Sequence, residues 1–178
     1  MNNFLRLTSL AATVAALALT ATPAQAQSSV AANPQASAKV KILKGLTLEQ
    51  RDDLDFGTVV LSGPAGFTGA AVSVDNAGVR TCDTTNLTCS DVPSAARYNV
   101  SGSNGSVVNL TIPASVTISN VSLDALVVTI TGAPASVTLT NSGAPGDDFV
   151  FGGSISLDST TPDGDYTGFI DVTADYAG

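Results

Sequence analysis

Short alternating runs of apolar and polar residues, each closed by Gly, Pro, Asn or Asp, fill the chain from residue 38 onward. From Ala38, the polar residues Lys39, Lys41 and Thr47 interleave with Val40, Ile42, Leu46 and Leu48, and Gly45 marks a bend. Residues 49–53 read as a charged turn, and residues 54–61 as a second strand stopped by Ser62-Gly63-Pro64. Residues 66–74 and 79–82 predict a hairpin around Asp75-Asn76-Ala77-Gly78. Further strands are expected at 96–101, 106–112, 116–120, 126–131, 137–140, 154–157 and 166–176. No window shows helical periodicity. Short strands spaced by roughly 8–12 residues predict an all-β sandwich or barrel.

The closing run is the most regular. Tyr166, Gly168, Ile170, Val172, Ala174 and Tyr176 share one face, and Thr167, Phe169, Asp171, Thr173 and Asp175 share the other. The first face is expected on the core and the second in water. Upstream, Pro113-Ala114-Ser115-Val116-Thr117-Ile118-Ser119-Asn120 is echoed by Pro134-Ala135-Ser136-Val137-Thr138-Leu139-Thr140-Asn141. Two copies are too few for a solenoid, so they read as two similar turn-strand units of one domain.

Residues 1–26 have a different pattern. One charge, Arg6, precedes an apolar run, and Ala24-Gln25-Ala26 ends it with small residues. That is the layout of a secretory signal peptide. The run is too short and Thr-rich for a good span, which needs about 20 apolar residues. Residues 27–37 then form a flexible leader, and 38–178 a single domain. The mature chain is expected to carry no membrane span and to be exported to the periplasm, cell surface or medium. Cys82 and Cys89 are the only cysteines, and an even count in an exported chain predicts a disulfide across the polar Asp83-Thr84-Thr85-Asn86 turn.

Composition narrows the chemistry. The 178 residues hold 7 basic and 15 acidic side chains, net −8, and no histidine. That balance excludes a nucleic-acid partner, whose phosphates need Lys and Arg. Without His the common general base and zinc ligand are missing, and with both Cys paired no thiol is left as a nucleophile. Glu49 is the only Glu, and the 14 Asp are scattered through turns. No catalytic residue, cofactor or metal site is therefore expected. Calcium is the one metal the composition permits, at Asp163-Gly164-Asp165, Asp147-Asp148 or Asp52, Asp53 and Asp55. The match to a calcium loop fails at the twelfth position, Ala174, so these read as solvated turns. The Asn-x-Ser/Thr triplets at Asn86, Asn99, Asn104, Asn109 and Asn120 read as products of composition.

The closing strand, with Pro162, Gly164 and Tyr166 ahead of alternating Thr and Val, resembles that of spore-coat-U-like and fimbrial subunits. The larger chain resembles a family of exported bacterial β-proteins known as a domain of unknown function. The shared features are the opening at residues 38–48, Leu54 to Val59, the Asp75 to Arg80 turn, Arg97 to Gly102 and the closing strand. The Cys82–Cys89 insert departs from that pattern. The resemblance implies a pilin-like, immunoglobulin-like β-sandwich with Greek-key connections. It implies a non-enzymatic structural or surface protein, a fimbria-like subunit assembling by strand complementation. Its partners would be copies of itself or related subunits and a periplasmic chaperone. The strand-exchange segment is placed at residues 30–44, and Val40, Ile42 and, just beyond it, Leu46 are the alternating apolar residues. The alternative uses those three in the domain's own first strand, giving a self-complete monomer that binds a glycan or calcium.

Overall fold

The structure, a computed structural model, describes residues 29–178. The signal-peptide reading of residues 1–26 lies outside the described residues. The chain divides into two compact units, Met1–Val40 and Lys41–Gly178. Residues 29–40, the described part of the first, hold no strand and are exposed.

The second unit is all-β. Its strands are β1 (Thr47–Asp52), β2 (Thr58–Leu61), β3 (Ala70–Val74), β4 (Arg80–Cys82), β5 (Leu87–Ser90) and β6 (Ala96–Ser101). They continue as β7 (Val107–Thr111), β8 (Ser115–Ser119), β9 (Ala125–Thr131), β10 (Ser136–Thr138), β11 (Asp147–Leu157) and β12 (Thr173–Tyr176). Every pairing between them is antiparallel. A seven-stranded sheet runs β1-β6-β11-β3-β4, with β9 also on β11 and β8 on β9. A three-stranded sheet runs β10-β7-β12, and β2 pairs with β5.

β11 organises the packing. Its start, Asp147 to Phe151, pairs with β6, and its end, Gly153 to Leu157, pairs with β3. Phe149 and Phe151 enter a first core with Ala96, Val100, Val108, Leu110 and Leu139. Ile155 and Leu157 enter a second with Ala70, Val72, Leu87 and Val128. Leu54 and Ile130 touch both. At the junction of the two stretches stand Gly152 and Gly153, where β11 leaves no room for a side chain.

Three expectations need correction. Residues 38–46 form no strand; the first strand starts at Thr47 and runs through the residues read as a charged turn. Among the described residues β1 pairs only with β6, and an outer strand keeps its charges in water. Arg97 of β6 answers Asp52 at 3.2 Å. The strand expected at 154–157 begins at Asp147 instead. The closing strand is ordered in a ladder only over Thr173–Tyr176, with one further bridge, Ser119 to Thr167. Its neighbour runs from β7 into β8 through Pro113, which has no N–H for a ladder.

The predicted hairpin is β3–β4. Asp75 Oδ1 accepts from Ala77 N at 2.9 Å and Val79 N at 2.8 Å, and Gly78 takes φ 76°. The echoed motifs lie in different sheets, as β8 and β10. In each, the Ala after Pro accepts a backbone bond: Ala114 from Ile130 at 2.9 Å and Ala135 from Leu110 at 2.8 Å.

Cys82 and Cys89 are bonded, at 2.04 Å. The strands they join are not partners, since β4 pairs with β3 and β5 with β2. The disulfide thus ties the β2–β5 ribbon to the large sheet. Between the cysteines, Asp83 accepts from Asn86 Nδ2 at 2.9 Å and Thr85 N at 3.0 Å. The Asn86 bond first, then that from Thr85, holds its carboxyl below the ordinary range. A two-stranded ribbon alone is marginal in water. Replacing both cysteines by serine should cost about 2.5 kcal/mol for an eight-residue loop by chain entropy. Hydrogen exchange should then show β2 and β5 opening before β6 and β11.

Candidate functional site

The candidate site is the outer edge of β12 and the chain that enters the domain beside it. Tyr176 packs its ring against the first core. Its hydroxyl accepts from Ser103 N and donates to Lys44 O, both at 2.7 Å. Gly102 makes room for that ring: a Cβ there would meet Leu46 at 2.8 Å, Leu139 at 2.9 Å and the Tyr176 hydroxyl closer still. Lys44 N also donates to Ser103 Oγ at 2.6 Å. The entering chain is therefore pinned at Lys44 and packed from Leu46 onward. Tyr176→Phe removes a hydroxyl bonded on both sides. It should cost about 1–3 kcal/mol, and hydrogen exchange should quicken at Ser103.

Upstream of the pin, Ile42 is 83% exposed. A shallow cleft beside it is lined by Lys41, Ile42, Ser103, Asn104, Val107 and Ala177. In the first unit, Val40 is likewise 83% exposed. Of the three residues expected in a strand-exchange segment, Val40 and Ile42 stand free of any strand and Leu46 joins the first core.

Among the described residues, β12 pairs only with β7 and β1 only with β6. On the closing run, Ile170, Val172, Ala174 and Tyr176 pack against the first core. Tyr166 is half-buried and its hydroxyl donates to Pro162 O at 2.8 Å. Gly168 is exposed but close-packed on one side, since a Cβ would lie 2.7 Å from Ile118 Cγ2. Phe169, Asp171, Thr173 and Asp175 are exposed. The carboxylates of Asp53, just past β1, and Asp171, just before β12, act on one phenol. Burial first, then Asp53 and Asp171, push the Tyr98 hydroxyl above its ordinary range.

Several other acidic residues accept local or cross-strand hydrogen bonds. Asp147 accepts from Thr140 N at 2.9 Å and Thr140 Oγ1 at 2.6 Å, and Asp148 from Asn99 Nδ2 at 2.6 Å. Asp55 accepts from Gly57 N at 2.7 Å, and Asp53 from Gln50. Among the described residues, no three acidic or sulfur side chains converge as a metal site would need.

Two features lay beyond the sequence reading. One is Asn120, a buried polar side chain. Its Oδ1 accepts from Ser122 N at 3.0 Å and Asp124 N at 2.9 Å. Its Nδ2 donates to Asp124 Oδ2 at 3.0 Å and Asp163 O at 3.3 Å, tying the β8–β9 turn to the approach of the closing run. Only the short turn between two Val/Thr runs hinted at it. The other feature is charge order. Lys39, Lys41 and Lys44 precede every acidic residue, the first of which is Glu49. That signal is countable in the sequence.

Residues 46–176 match the family described as Domain of unknown function (DUF4402). No curated protein and no solved structure matches the chain.

Proposed function

Because the chain belongs to the DUF4402 family, we propose that it is a non-enzymatic, exported structural subunit of a bacterial surface. In this reading it assembles by strand complementation, as fimbrial subunits do. Its antiparallel sheets make up a pilin-like immunoglobulin-like sandwich with Greek-key connections in this reading, and residues 1–26 direct export. The single observation that carries the reading is an open strand edge together with an exposed apolar segment that belongs to no strand. β12 bonds on one side only among the described residues, and just upstream of the domain lie exposed, alternating apolar residues, Val40 and Ile42. An unpaired edge invites another strand, and such an edge needs an occupant or a chaperone to stay soluble. The disulfide suits an oxidising compartment.

Sedimentation of the full chain against a form lacking residues 27–43 tests this. Oligomers from the full chain and monomers from the shortened one are expected. A full chain that stays monomeric at the highest soluble concentration overturns the reading.

A further inference from the structure

Charge along the chain is segregated in a way that selects a partner. Residues 29–44 carry three lysines and no acidic side chain. Residues 45–178 carry three arginines against all fifteen acidic side chains, net −12. The family match starts at Leu46, so the basic segment lies outside the matched region.

We infer that the occupant of the β12 edge is residues 39–44 of a second copy of this chain, with Lys39 and Lys41 set against Asp171 and Asp175. The inference rests on the strand-complementation reading and adds the identity of the partner and the code that selects it. The two segments match in length and alternation. Six residues, Lys39 to Lys44, face six, Ile170 to Asp175. Laid antiparallel, Val40 comes beside Ala174 and Ile42 beside Val172, both part of the first core's wall. Lys39 then comes beside Asp175. Lys41 comes beside Thr173, with Asp171 and Asp175 as its diagonal neighbours, within reach of a long side chain. Asp171 and Asp175 are exposed, and none of the three lysines ion-pairs within the described chain.

Like charges keep one β12 edge from pairing with another, while a basic strand is admitted. The chain's own segment is held away from that role at its end, where Lys44 bonds Ser103 and Tyr176 and residues 41–43 form no strand. A contact between two different surfaces of identical copies is heterologous, and it extends into a filament unless the rotation closes a ring.

The test compares the full chain with two variants by sedimentation at about 20 mM and about 500 mM NaCl, ionic strengths on either side of the range where exposed charges are screened. The donor variant is K39E/K41E and the acceptor variant D171K/D175K. Wild-type oligomers are expected to shrink in high salt. Each variant alone should be monomeric, and an equimolar mixture should assemble, because each then meets an opposite charge. The donor changes lie outside every strand, so that variant reports even where the acceptor variant folds poorly. Oligomers from the donor variant equal to wild type overturn the charge code. If those oligomers still vanish on deleting residues 27–43, strand complementation stands without it. A wild-type chain monomeric at both salts overturns both.

Discussion

Gly152→Val is expected to prevent the native fold. β11 changes partner here, from β6 to β3, and it does so with its backbone against the backbone of β3. A Cβ at Gly152 would collide with the Val74 carbonyl oxygen and come within 3.0 Å of the Asp75 carbonyl carbon. Neither is the end of a flexible side chain, so relief means separating β3 from β11. That opens the second core, because Val72, Ile155 and Leu157 sit on those strands. A loss above about 4 kcal/mol puts the change in the rare, severe class, a large share of the 5–15 kcal/mol typical of a domain. The expected result is insoluble protein or a chain without near-ultraviolet circular dichroism. Gly45→Ala is the control: nothing lies within 4 Å of its Cβ position, and its unfolding midpoint should barely move.

The same glycines show why part of the fold was hidden in the sequence. Gly152-Gly153 is ordinarily punctuation between elements, so the pattern predicts a strand only from Ser154. What makes it strand interior is a close approach between β11 and β3, residues about 80 positions apart in the chain. Asp147-Asp148 hid the strand's start in the same way, since paired Asp also signals a turn. Residues 49–52 misled for the opposite reason: their charges fit a turn and an outer strand equally well. The alternating runs that became β3, β6, β7 and β9 were legible because each has one face on a core. The candidate site divides along the same line. The core face of the closing run followed from period two, whereas the Tyr176 hydroxyl's bonds to Ser103 and Lys44 depend on partners that no local pattern supplies. Asn120 is similar, since three of its four bonds are local and the fourth goes to Asp163 O on the approach of the closing run.

Charges play two roles that composition alone merged. Those on β1 are neutralised locally, Arg51 with Glu49 at 3.0 Å and Arg97 with Asp52 at 3.2 Å. Exposed pairs of this kind add little stability, but they leave that edge without a net field to draw a basic strand. Asp171 and Asp175 have no cationic partner among the described residues. The β12 edge therefore keeps its negative field, which favours it over β1 as the place where a lysine-bearing strand docks.

Phe151→Ala should be the costliest change of side chain in the first core. Phe151 is fully buried and is the largest of the wholly buried side chains. Tyr98 stacks on it with ring centroids 5.8 Å apart and on Phe149 at 5.6 Å. Truncating a buried Phe costs about 3–5 kcal/mol through lost transfer energy and the cavity left behind. Collapse cannot refill this cavity, because its walls are β6 and β11, held in register over five residue pairs from Asp147 to Phe151. Tyr98 packs on the same core as Val172, Ala174 and Tyr176, so loss of its stacking partner loosens the layer behind the β12 edge. For a domain near 150 residues, about 2–4 °C of melting temperature go with each kcal/mol. A fall of about 10 °C is expected, with an unchanged denaturant slope. Val150→Ala, one residue away but only half-buried, should lose far less. If the two variants melt together, the first core is not the rigid backing that the open edge requires. Strand addition there would then need to order the core as it binds.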